Sequence, residues 1–442
     1  MARKFPQVKP VSASVQLLEK QLSSADPDVR KAGLLSIPKL SAPTDQILDC
    51  ADRVIVSENW FARRAAADAL AFSVLHHASK SAMQAVELGA KHLASEDPEV
   101  RRCAGMALVA IAAQPKEPPK ELLPGEVPKE PTDLDTETAD NLSISAANVV
   151  AQCLHHEDAG VRETAVNTFA GLDKWATPHA SDLAKLVGDG SHLTRRAAIR
   201  AVDKLGAVVS TASEDMAVWF EHQEAMIRNC AKDALVALSN HDGLAAGKGA
   251  VTALRSPDPL ARKVAMQCFL EMQGHAAPHG QAIAAMLEDA DFIVRALVPR
   301  VFEAAAKENG KEVAKSLKYV VRRMDHARED VRRVATDTAR AVAPLVEKFA
   351  RSQGRLFVED MVGVDPEIYI QKKLRAMQVL GGAGENVKPY LEYIVAELES
   401  KDWRLRREAV HCMEDLGEHA VGYGVKEVSR RLLHEEPDVR RA

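Results

Sequence analysis

A chain of 442 residues carrying 58 Lys plus Arg against 63 Asp plus Glu has a formal charge of −5. Neither nucleic acid nor an anionic membrane is an expected partner for so balanced a surface. Hydrophobic residues make up 46% and aromatics only 4%, which argues against both whole-chain disorder and a ring-rich β-sandwich or barrel. The cysteines, Cys50, Cys103, Cys153, Cys230, Cys268 and Cys412, are too scattered for a disulfide framework or a zinc site, so a reducing compartment is the default. No run approaches the ~18 apolar residues of a membrane span. The stretch Met1–Val11 carries Arg3, Lys4 and Lys9 but is broken by Pro6 and Pro10, unlike a secretory signal. A cytoplasmic location is expected, with organelle targeting left open by the absence of acids before Glu19.

Read from the N-terminus, one phrase recurs: an acid, often Pro, an apolar residue, Arg, then small apolar residues. It appears as Asp26-Pro27-Asp28-Val29-Arg30, Asp97-Pro98-Glu99-Val100-Arg101 and Asp258-Pro259-Leu260-Ala261-Arg262, and late as Asp402-Trp403-Arg404-Leu405-Arg406. The anchor arginines are Arg30, Arg63, Arg101, Arg162, Arg195, Arg228, Arg262, Arg295, Arg332, Arg406 and Arg440, mostly 33 or 34 residues apart. Apolar residues fall at offsets −1, +3, +7 and +10, as in Val100, Ala104, Leu108 and Ile111, which is the spacing of one helix face. A second apolar helix precedes each anchor, as at Leu183–Val187 and Ile283–Leu287. The Asp-Pro between them caps the second helix and fills its first turn. Each unit is a helix pair that must stack on its neighbours to bury its apolar face.

In chain order, residues 1–113 hold repeats one to three. Residues 114–141 form a Pro-rich acidic insertion with six prolines and a net charge of −5, read as disordered. Residues 142–442 hold repeats four to twelve, with a degenerate unit and loop near 350–385. There Leu380-Gly381 closes a helix as Leu205-Gly206 and Leu416-Gly417 do, and a break is placed at Gln353–Pro366. The last unit is incomplete at Ala442, so the sequence reads either as a fragment or as an array without a conventional polar cap.

The Asp-x-x-Val-Arg-x-Ala pattern resembles HEAT repeats of the short, phycobilisome-lyase-like type, within the armadillo-type α-solenoid superfamily. The resemblance implies an all-α superhelix of about twelve helix pairs, with each anchor Arg bonding the turn Asp of its own or a neighbouring unit. It says little of function, because that group includes scaffolds, adaptors and a few enzymes.

The residue after the anchor is basic in most copies: Lys31, Arg64, Arg102, Arg196, Lys263, Arg333, Arg407 and Arg441, against Glu163, Asn229 and Ala296. On neighbouring second helices these would form a broken basic stripe for a protein partner carrying an acidic segment. A solvated flank with local salt bridges is the competing reading, and the acidic insertion is a candidate ligand in cis. His179, His279 and His419 recur at one turn but belong to distant repeats, which makes them turn residues rather than metal ligands. Deoxyhypusine hydroxylase is a similar HEAT-like protein with His-Glu metal pairs after the anchor Arg; here the only His-Glu dipeptides, His156-Glu157 and His434-Glu435, precede it. Neither a cofactor nor a metal is expected. Cys103, Cys230, Cys268 and Cys412 fall at inward-facing offsets and read as buried thiols.

The sequence is thus read as a non-enzymatic interaction scaffold or adaptor. The alternatives are a lyase-like or chaperone-like handler of a chromophore or client, and a regulatory subunit of a larger enzyme. Oligomeric state and partner identity are not encoded legibly. Removing Gln114–Asn141 should leave helicity and melting temperature nearly unchanged by circular dichroism; a large loss of either would place the segment in the core.

Overall fold

A computed structural model describes residues 11–76, 79–113, 136–359 and 364–441. The described residues form helices and turns without a strand. The chain divides into two compact units, Met1–Ala212 and Ser213–Ala442, each an α-solenoid of stacked helix pairs.

In the first unit the pairs are α1 (Ala13–Leu22) with α2 (Pro27–Ser36), α3 (Thr44–Val54) with α4 (Trp60–His76), α5 (Ser79–Leu93) with α6 (Pro98–Ala112), and α7 (Thr136–Cys153) with α8 (Ala159–Phe169). The fifth pair joins a 3-10 turn and α9 (Ala180–Lys185) to α10 (His192–Leu205). Consecutive second helices lie side by side, α2 on α4, α4 on α6, α6 on α8 and α8 on α10.

The second unit runs α11 (Ser213–Ala217) with α12 (Ala225–Ser239), α13 (Gly243–Ala253) with α14 (Pro259–Met272), and α15 (Gly280–Ala285) with the start of α16 (Phe292–Arg323). Helix α16 is two helices joined at Asn309, whose φ of −134° and ψ of 55° are not helical. Its second half pairs with α17 (Glu329–Val342), followed by α18 (Glu347–Val358) with α19 (Pro366–Leu380), α20 (Leu391–Ala396) with α21 (Trp403–Leu416), and α22 (Glu418–Arg431) with α23 (Pro437–Arg441). The count of about twelve pairs agrees with the repeat.

The predicted inner face is the core. Val100, Ala104, Leu108 and Ile111 are buried, as are Thr194, Ala198, Val202 and Leu205, and Ile227, Ala231, Leu235 and Leu238. The Asp-Pro turns also act as expected: the side chains of Asp26, Asp97 and Asp258 accept from the backbone N–H two residues on, with Pro in the first turn.

Several first helices are less regular than the apolar pattern suggests. Residues 173–179, 273–279 and 384–390 wind as 3-10 turns that contain Pro178, Pro278 and Pro389, as residues 206–212 do without a proline. The chain enters such a segment through a left-handed residue, Gly384 at φ 53° and Gln273 at φ 50°. The expected Leu-Gly stop holds, since α19 ends at Leu380 with Gly381 as its C-cap, but at φ −57° Gly381 is right-handed, unlike Gly206 and Gly417; the left-handed position there is Gly384, where the absent side chain removes the strain. Two boundaries also move. Helix α7 starts at Thr136, so the last six residues assigned to the insertion are helical; residues 114–135 lie outside the described residues. Helix α18 continues to Val358, so the break expected from Gln353 begins only at Glu359.

The anchor arginines turn out to hold backbone. In ten units the guanidinium Nη1 donates to the carbonyls six and five residues earlier, at 2.5–3.2 Å. Arg63 makes the equivalent bond to the Ser57 carbonyl. These carbonyls lie at the end of the first helix, where no intrahelical donor remains. The expected pairing with the turn Asp of the same unit is replaced by this clamp. Four arginines add a carboxylate of the next unit: Arg63 to Asp97 at 2.8 Å, Arg162 to Asp189 at 2.8 Å, Arg262 to Asp289 at 2.7 Å and Arg295 to Asp330 at 3.0 Å.

The residue six before the anchor completes the turn. Ser24, Ser95, His156, Asp189, His222, Ser256, Asp289, His326 and His434 each accept, through the side chain, the backbone N–H two residues on, at 2.8–3.3 Å. Every unit with an anchor Arg has Ser, His or Asp there. In the degenerate unit both halves are missing: Tyr369 stands at the anchor and Gly363 six residues before it.

Burial would raise the Asp289 carboxyl, but the Arg262 hydrogen bonds, the Asp291 N–H and the nearby positive charges hold it below the ordinary Asp value. A depressed folded-state value stabilises above the unfolded value of about 4 and is lost as pH falls through the folded value. Arg262→Ala should cost about 3 kcal/mol in urea melts by stranding a buried carboxylate and should flatten the loss of stability below about pH 4. Arg228→Ala, which strands only carbonyls, should cost about 1 kcal/mol. Equal losses in the two variants would contradict the carboxylate's role.

Candidate functional site

The basic stripe lies one residue past each clamp, on the exposed side of the second helices. Lys31, Arg102, Arg196, Arg333 and Arg407 are exposed, while Arg64 and Lys263 are half-buried. In the first unit Arg64 on α4 and Arg102 on α6 come together. Arg64 approaches Met106 Sδ at 3.3 Å, and the Arg102 guanidinium lies 5.6 Å from the Trp60 ring centre. Trp60 packs edge-on against Phe61 at 5.2 Å, and Arg30 covers Phe61 at 4.8 Å. Such cation–π contacts hold guanidinium groups against an exposed aromatic surface.

Arg64 and Arg102 line an open groove of about 680 Å³ together with Met106, Glu163, Thr164 and Lys204. Small residues make its floor. A Cβ on Gly105 would fall 2.2 Å from Thr168 Oγ1, and one on Gly160 would fall 2.5 Å from the Arg101 guanidinium, so glycine is what allows α6 and α8 to close there. Local pairing also occurs: Arg64 meets Asp68 at 3.3 Å and Arg102 meets Glu99 at 3.1 Å. Burial raises the Asp68 carboxyl above its ordinary value, with Arg64 opposing. Burial likewise raises Glu408, the neighbour of Arg407, against the Gln378 hydrogen bond.

The other stripe residues are more dispersed. Lys31, Arg196, Lys263 and Arg333 have no ion-pair partner among the described residues, and Arg407 stacks on Trp403 at 5.0 Å. In the second unit the stripe position alternates: Asn229, Lys263, Ala296, Arg333, Ile370 and Arg407. The Arg441 side chain lies outside the described residues.

The histidines are engaged locally. His179 bonds Asn148 at 3.0 Å, His419 lies 3.4 Å from Glu385, and His279 packs 5.8 Å from the Phe269 ring. Burial lowers the His279 imidazole. No group of three metal-ligating side chains forms among the described residues. His156 and His434, the two His-Glu histidines, are turn caps. Cys103, Cys268 and Cys412 are buried as expected, with Cys50, but Cys230 is only half-buried, like Cys153. Burial pushes the Cys50 and Cys412 thiols up to about 12.

Sequence reasoning missed a second basic surface: Lys307 just before the α16 kink, and Lys311 and Lys315 after it, face Lys348, Arg351 and Arg355 on α18 across a cleft. The i,i+4 lysines were a visible signal, but their partner helix was not.

The fold is an all-α solenoid. No family model and no curated protein matches the chain. Among solved structures, the karyopherin Kap121p bound to the SUMO protease Ulp1p aligns over 94% of this chain and 46% of its own, at 14% identity and a TM-score of 0.45. Kap121p bound to Pho4p aligns at 15% identity over 94% and 47%, with a TM-score of 0.43. An engineered protein aligns at 17% identity over 92% and 99%, with a TM-score of 0.30. The chain spans about half the length of the karyopherin chains it aligns with.

Ellman's reagent should label Cys153 and Cys230 first in the native chain, with Cys50, Cys103, Cys268 and Cys412 reacting only on unfolding. Early labelling of Cys268 would contradict the packing of α14.

Proposed function

We propose that the chain is a non-enzymatic scaffold that holds protein partners through acidic segments laid along its second helices. The observation that carries this reading is the groove bearing Arg64, Arg102 and Lys204 beside the exposed Trp60–Phe61 pair. A partner's carboxylates would meet fixed guanidinium groups, and its apolar residues would meet the aromatic faces. Small contacts repeated along successive helices add up when they belong to one partner chain. The groove is open and shallow, which suits a polypeptide better than an enclosed chromophore.

Reversing Arg102, Arg196, Arg333 and Arg407 to Glu should leave the circular dichroism spectrum unchanged. It should remove specific proteins from a pull-down analysed by mass spectrometry. An identical set of retained proteins on wild type and variant would exclude the second-helix face as the binding surface.

A further inference from the structure

A cleft opens between the second half of α16 and α18 in the Ser213–Ala442 unit. Non-helical Asn309 turns the chain just before Gly310, and the two helices then touch only sparsely. They leave confluent hollows of about 900 and 590 Å³ that share Glu347, Lys348 and Ser352. Leu345 and Leu356 are each 38% exposed in these walls, above buried Val346 and Phe349.

Around this apolar trough stand six cations, Lys307, Lys311, Lys315, Lys348, Arg351 and Arg355, against two lining carboxylates, Glu347 and Glu359. Lys307, Lys315 and Arg351 are neutralised within their own helices by Glu303, Glu312 and Glu347. Lys311, Lys348 and Arg355 have no ion-pair partner among the described residues. Uncompensated charge facing exposed leucine is unfavourable for a bare surface and complementary to a ligand that is both acidic and apolar.

We infer that this cleft is a second docking site, independent of the second-helix face, and that its occupant is an acidic amphipathic helix of a partner protein. The helix would lay its apolar stripe over Leu345 and Leu356 and its carboxylates against Lys311, Lys348 and Arg355. A nucleic-acid strand fits less well, because no aromatic side chain among the described residues lining the cleft is exposed for bases to stack on, and the exposed leucines give a phosphate backbone nothing. Helix α18 has 12 residues, so a ligand helix of about 14 residues, ~21 Å long, matches the cleft.

The test is fluorescence anisotropy on the full chain, with a labelled peptide of about 14 residues carrying leucines at helical spacing flanked by glutamates. A peptide of the same composition in shuffled order is the control. The ordered peptide should bind at least about tenfold more tightly than the shuffled one. Lys311→Glu with Lys348→Glu should weaken it about tenfold or more, and Leu356→Ser several-fold. Lys311→Ala with Lys348→Ala serves if the reversal disturbs the circular dichroism spectrum. Arg102→Glu should leave this binding intact, which separates the site from the second-helix groove. Equal affinity for the two peptides, or no effect of either double variant, would overturn the proposal. Displacement of the peptide by a single-stranded oligonucleotide or by phosphatidylserine vesicles at lower concentration would overturn it too, assigning the cleft to phosphate ligands.

Discussion

The array depends on a guanidinium closing on two carbonyls. A first helix that ends in a tight turn leaves its last carbonyls without donors, and burying them costs more than most side-chain contacts return. The arginine four residues into the next helix brings two N–H groups to that end at a fixed angle. The side chain at the turn's first position meanwhile takes the backbone N–H two residues on. Together they set the angle between the two helices of a pair. A bond from Arg162 to Asp189, or from Arg262 to Asp289, then carries that angle into the next pair.

With the turns fixed, packing can use small residues. Alanines recur through the inner faces, and the fully buried aromatics include Phe169, Phe220, Phe269 and Phe357. Close helix contact is made by glycine where it matters, as at Gly105 under Thr168. Large apolar side chains are instead exposed near the starts of second helices, among them Phe61, Met226, Phe292 and Trp403. They do not fill the core, and they lie on the same edge as the basic stripe.

What could be read from the sequence follows from which positions repeat in residue type. Offsets −1, +3, +7 and +10 are apolar in most units because each must be buried, so the second helices and the fold were legible. The Asp-Pro turn was legible because capping admits few residue types. The position six before the anchor was not, because Ser, His and Asp share only an acceptor atom and no chemical class. Leu380-Gly381 was legible as a helix end, but not the left-handed turn, which the chain makes three residues later at Gly384. Arg64 and Arg102 were legible as members of a stripe, but not their meeting in one groove with Arg102 over Trp60, which needs the spacing of α4 and α6. The cleft was invisible because Lys311 and Lys348 are 37 positions apart on helices whose weak pattern gives no register.

The alternation in the second unit constrains the shape of any ligand that follows the stripe. Lys263, Arg333 and Arg407 stand on every other second helix, so neighbouring charges are about 16–20 Å apart at ordinary helix-packing distances. An extended polypeptide covers that interval in about five or six residues, whereas an α-helix needs about eleven to thirteen. A partner's acidic residues would have to recur at one of these two periods to meet successive cations, so a uniformly acidic tail would waste half its charge opposite Ala296 and Ile370. On the proposed reading the face would act as a ruler as well as a charge, selecting on the rhythm of a ligand's sequence before its total charge.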